Sequence, residues 1–60
     1  MQLILTMDMD NAAFENAPAT EAARILRKLA GQIERAEDDG GDFALMDGNG
    51  LKVGTASIGA

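Results

Sequence analysis

The chain has no cysteine and no histidine. The first absence excludes a disulfide, a thiolate zinc site and a thiol nucleophile. The second removes the usual metal ligand and the usual general base near neutral pH. Thr6, Thr20, Thr55 and Ser57 therefore have no histidine to activate them, and neither Lys28 nor Lys52 sits in a serine motif as a substitute base. The glycines fit no phosphate loop, because no lysine follows at the needed spacing. Aromatic residues are confined to Phe14 and Phe43, which leaves little for stacking on bases. No hydrophobic run approaches membrane-spanning length, so no membrane partner is expected. The opening MQLILTMD is short and lacks the basic leader of a signal peptide; a cytoplasmic location is the expectation. No cofactor and no enzyme activity are expected.

The sequence does contain one strong period. In Pro18–Ala36 the apolar residues recur at spacings of three and four, which predicts an amphipathic helix. Ala22, Ile25, Leu26, Leu29, Ile33 and Ala36 form the centre of its stripe, and Ala19, Ala23 and Ala30 widen one edge. Asn16 or Thr20 is the expected cap, Pro18 suits the first turn, and Glu21 lies near the positive end of the dipole. The stop is expected at Gly40–Gly41, with fraying from about Glu37, because Glu37, Asp38 and Asp39 face the negative end.

Charge is divided unevenly. Arg24, Arg27, Lys28 and Arg35 stand on the polar face of the helix around Gly31, flanked by Glu21 and Glu34. The segment 18–36 thus carries +2 (four basic, two acidic), and the rest carries −7 (Lys52 against eight carboxylates), giving the net −5. The acidic balance argues against nucleic acid as a partner. A solvated face with Glu–Arg pairs explains the basic ridge; docking of an acidic partner on Arg24, Lys28 and Arg35 is the functional alternative.

The remaining chain reads as strands. Gln2–Asp8 alternates, with Leu3, Leu5 and Met7 on one side and Ile4 and Thr6 on the other. Asp10 or Asn11 can start a short helical turn through Phe14, which is expected to plug the end of the core. Asp47-Gly48-Asn49-Gly50 suits a type I turn followed by a left-handed glycine bulge, with a tight primed turn as the alternative. The bulged loop places Asp47 opposite Leu51, Leu45 opposite Val53 and Phe43 opposite Thr55, with Phe43, Leu45, Leu51 and Val53 on one face. Gly54 marks a bulge or a close backbone approach.

The expected fold is α+β: one small domain over 1–60, with a strand at 2–8, a helix at 18–37 and a hairpin at 42–58. The β-α-β-β order gives a three-stranded, mainly antiparallel sheet with one helix on one face. The last strand is expected in the middle, with sequential order as the alternative. The other face would carry Ile4, Thr6, Ala44, Met46, Lys52, Ala56 and Ile58, centred on Met46 beside Ile4. Two copies packing on that face would form a homodimer.

Two acidic clusters are candidate sites. Asp8 and Asp10 lack the further ligands of a calcium loop, and turn formation explains them. Asp38, Asp39 and Asp42 read as a solvated link or as part of a partner surface.

The runs Met7–Glu15 and Ala22–Ala30, with the turn Asp47–Gly50 and Val53-Gly54, resemble short uncharacterised proteins of bacteriophages, prophages and other mobile elements. The resemblance implies a phage or mobile-element setting and no assigned activity. The expected function is a non-enzymatic acidic module that binds an unknown host or phage protein. In such a setting its carboxylates would mimic phosphates and inhibit a host defence or nucleic-acid machine, in the manner of anti-CRISPR or anti-restriction proteins. The alternatives are a self-associating structural or regulatory subunit, and a weak nucleic-acid binder using the basic helix face.

Overall fold

The first strand, β1 (Gln2–Met7), forms where alternation and β-branched residues coincide. A single 3-10 turn follows at Ala12–Phe14 and delivers Phe14 into the core. The helix α1 (Pro18–Arg35) comes next, then β2 (Gly41–Met46) and β3 (Lys52–Gly59). The computed structural model describes residues 1–36 and 41–59. The three strands form one antiparallel sheet in the order β1-β3-β2, so the last strand is central, as expected.

The helix ends differ from expectation. Pro18 does occupy the first turn, but the cap position is Ala17, and neither Asn16 nor Thr20 caps through its side chain. At the other end Ala36 has already turned extended, so the helix stops before the acidic run. Carboxylates at a negative helix end oppose extension. Glu37–Gly40 lie outside the described residues.

The core is small: Phe14, Ile25, Leu29, Leu45, Val53 and Ala56, with Leu5, Met7, Ala22, Ile33 and Phe43 packed against it. Within the sheet, α1 packs most closely on β2. Ile25, Lys28, Leu29 and Gln32 line, together with Ala44, Leu45 and Met46 of β2, a partly open hollow of about 20 Å³, room for a water and nothing larger. The helix therefore sits off-centre. Leu26, expected at the centre of the buried stripe, is 43% exposed, because its side of the helix turns away from β2.

The hairpin loop forms as expected. Gly50 N–H donates to the Asp47 carbonyl (3.0 Å), Asp47 N–H donates to the Leu51 carbonyl (2.9 Å), and Gly50 takes φ +81°. Only glycine adopts that angle at little cost. Beyond the loop the register departs from expectation. Met46 pairs with Lys52 and Leu45 with Gly54, so Val53 is an extra residue bulged out of the ladder. Phe43 accordingly faces Ala56, and Leu45 does not pair with Val53 nor Phe43 with Thr55.

The bulge reverses the parity of β3. Ala56 is buried and Ile58 half-buried on the helix side, so both leave the open face where they were expected. Leu51 is exposed and does not join Leu45 and Val53 in the core. Gly54 serves both of its expected roles. It adjoins the bulge, and a Cβ there would run into the Thr6 carbonyl and come within 2.9 Å of Met7 Cα.

Candidate interaction surfaces

Pairing fixes what the uncovered face of the sheet displays. One row is Ile4, Ser57 and Asp42; the next is Thr6, Thr55 and Ala44; the last is Lys52 and Met46. Ile4 is 58% exposed and Met46 37% exposed. They do not sit side by side as expected. They occupy opposite edge strands, and β3 separates them with Thr55 and Ser57. The face is thus apolar at its rims and hydroxyl-bearing at its centre. Ser57 Oγ–H donates to Asp42 Oδ1 at 2.7 Å, which fixes that carboxylate at the surface.

The basic ridge is less free than its spacing suggests. Arg24 Nε and Nη2 donate to the two carboxylate oxygens of Glu21 at 2.8 and 3.0 Å. This fork raises the Arg24 pKa above its ordinary value and holds the Glu21 carboxyl below the usual carboxylate range. Lys28 is exposed beside the hollow at β2. Arg35, also exposed, lays its guanidinium near Gly31, where an added Cβ would stand 3.4 Å from Nη1. The space left by Gly31 is lined by the chain's own arginine. Asp38 and Asp39 lie outside the described residues.

No protein-family model, no curated protein and no solved structure matches this chain. Its surfaces have to be read from their own geometry.

The most organised polar cluster is built on the hairpin turn, where turn chemistry alone is expected. The Asp47 side chain is 5% exposed. Its Oδ1 accepts the N–H groups of Asn49 and Leu51, each at 2.9 Å, and its Oδ2 accepts Nδ2 of Asn11 at 3.0 Å. The Asn11 amide is the first cause of a lowered Asp47 pKa, and the Leu51 N–H the next. Beside it, Gly48 N–H donates to Glu21 Oε2 at 2.8 Å. The hairpin tip is therefore bonded to the start of the 3-10 turn and to the first turn of α1. Asn11 and Glu21 each have a sufficient local reason to be where they are, so neither advertises its long-range partner.

Asp8 Oδ1 accepts the Asp10 N–H at 3.0 Å, the hydrogen bond of a turn. Among the described residues no three His, Cys, Asp or Glu side chains gather in the way a metal ion needs. Among the same residues no helix is long and apolar enough to cross a membrane.

Proposed function

We propose that the protein acts by binding another protein, through the open face of the sheet and the negative charge around it, and not by catalysis. The observation that carries this reading is the face itself. Ile4 and Met46 stand exposed at its rims, and Thr6, Ala44, Thr55 and Ser57 lie between them, with Lys52 beside Met46 and Asp42 beside Ser57. Small side chains leave a flat centre that a partner can approach closely, and the rim residues supply apolar contact.

The narrower reading is an inhibitor, encoded by a phage or mobile element, of a host defence or nucleic-acid machine. It is supported by the charge of −7 outside the helical segment, eight carboxylates against Lys52. Asp42 is held on the open face, and Asp8, Asp10 and Glu15 are exposed. Carboxylates so placed can occupy a basic groove built for phosphates and speed the encounter electrostatically. The pairing of Arg24 with Glu21 weighs against nucleic acid on the helix face.

The experiment is capture from host lysate with mass-spectrometric identification, followed by binding measurements on the captured protein. Met46→Asp should abolish binding. Raised salt, and the combined change of Asp38, Asp39 and Asp42 to Asn, should each weaken it at least several-fold. Binding indifferent to salt and to the Asn changes would overturn mimicry. Binding indifferent to Met46→Asp would overturn the open face as the docking site.

A further inference from the structure

Among the described residues, the outer edge of β1 is a run of backbone groups that the topology leaves without partners and that no charge guards. β1 is an edge strand, paired only with β3. Asp8 N–H donates to the Val53 carbonyl at 2.7 Å, which sets the alternation of the ladder. Gln2, Ile4 and Thr6 therefore turn their N–H and C=O groups toward β3, and Leu3, Leu5 and Met7 turn theirs outward. Among the described residues no other element packs substantially along that edge. Edge strands are ordinarily protected by lysine, proline, a bulge or an inward charge. QLILTM has none of these.

We infer that this edge pairs with the same edge of a second copy, antiparallel, about a two-fold axis through Leu5. The register follows from the outward groups. Facing copies must place Leu3, Leu5 and Met7 against the same three residues, so a slip of one position is excluded. With the axis at Leu5, Leu5 meets Leu5, Leu3 meets Met7 and Met7 meets Leu3, and every outward N–H finds an outward C=O. Moving the axis to Ile4 or Thr6 leaves one of the three against a residue beyond the strand. The arrangement is isologous and closes on itself, giving one sheet of twice the width.

Charge selects this occupant and this edge. Two acidic copies repel, yet β1 brings no carboxylate against another: in this register Asp8 falls opposite Gln2 of the second copy, an amide that can donate to it. The opposite edge, β2, carries Asp42 within the strand, a charge of the kind that guards an edge against pairing, and β1 has none. The faces agree as well. Leu3, half-exposed on the helix side of the sheet, gains Met7 of the second copy as its neighbour. Both helices lie on the same side, and both open faces remain free on the other. This is a different surface from the one assigned to partner binding above and does not depend on it.

The test uses the chain made by chemical synthesis, with and without an N-methyl group on the Leu5 nitrogen. That nitrogen points away from β3, so methylation leaves the monomer ladder intact. Sedimentation equilibrium from micromolar to millimolar should show a reversible dimer for the unmodified chain. Methylation should weaken it by roughly 10- to 100-fold with an unchanged circular dichroism spectrum, since two central hydrogen bonds are lost. Two charged variants check the register through exposed side chains. Ile4→Glu with Thr6→Glu, and Ile4→Lys with Thr6→Lys, should each be monomeric and should form a heterodimer when mixed. A chain that stays monomeric at millimolar concentration overturns the inference. So does a dimer that tolerates methylation, or one that Met46→Asp breaks and methylation does not, which would indicate packing through the open face.

Discussion

The hairpin tip and the outer edge of β1 treat the backbone in opposite ways. At the tip, the N–H groups of Asp47, Gly48, Asn49, Gly50 and Leu51 all donate within the chain, two of them to the Asp47 carboxylate and one to Glu21. At the edge, the outward groups of three successive alternate residues have no partner among the described residues. Carboxylates close the first region, and the second contains no charge at all. The difference teaches that part of the acidity in this molecule is structural. Asp47 and Glu21 hold the tip, and the exposed carboxylates are the ones the proposed partner binding would use.

The sharpest way to break the comparison is to act at the joint between its halves. Gly54 lies on β3 beside the bulge and against Thr6 and Met7 of β1. Gly54→Ala forces the strands apart, and overpacking of this kind costs about 1–3 kcal/mol or more. In a domain whose core supplies only a few kcal/mol, the expected outcome is loss of the cooperative transition in a circular dichroism melt. A variant that melts like the wild type would mean that β1 is not packed this closely on β3.

Asp47→Ala comes next. It removes the acceptor for Asn11, Asn49 and Leu51, so the melting midpoint at pH 7 should fall clearly, and the difference from wild type should shrink toward pH 3. The direction follows from the lowered pKa values of Asp47 and Glu21, whose ordinary values are 3.8 and 4.5. A carboxyl whose folded pKa is depressed contributes stability that is fully present above its ordinary value and is lost as pH falls through the depressed one. The wild type should therefore hold its midpoint above about pH 5 and lose stability steadily below the ordinary carboxylate range. Glu21→Gln should flatten part of that acid slope. An acid slope identical in all three chains would show that these carboxylates do not hold the tip.

Ile4→Ser is the smallest change. Its side chain is exposed on the open face, so the stability of the monomer should move by no more than about 0.5 kcal/mol in urea unfolding. A larger loss would mean that the open face is covered within the chain.

Much of the fold was legible from residues alone because local preferences agree with one another. The three-and-four spacing of Ile25, Leu29 and Ile33 gives the helix, the Asp47–Gly50 turn gives the hairpin, and alternation in Leu3, Leu5 and Met7 gives the edge strand. Gly54 pointed to a bulge or a close approach but did not fix the register beyond it. Val53 and Ala56 are both buried yet three apart, a spacing no regular strand allows. Regular alternation past Gly54 puts Ala56 and Ile58 on the open face and makes that face look more apolar than it is. Leu26 was misplaced for another reason: the apolar stripe is wider than the part of the helix that β2 covers. The links from Asn11 to Asp47 and from Glu21 to Gly48 join residues 36 and 27 positions apart, and no local period reports a bond of that kind. The candidate partner surfaces were legible as charge and as an open, partly apolar sheet face. Which rows they share depended on the register of β3.

Hydrogen exchange of individual amides, followed by NMR in dilute solution, tests the contrast between tip and edge most directly. The amides of Gly48 and Leu51 should exchange slowly because Glu21 and Asp47 hold them, and those of Leu3, Leu5 and Met7 should exchange fast. Slow exchange at Leu3, Leu5 and Met7 in the monomer, or fast exchange at Gly48 and Leu51, would contradict the account.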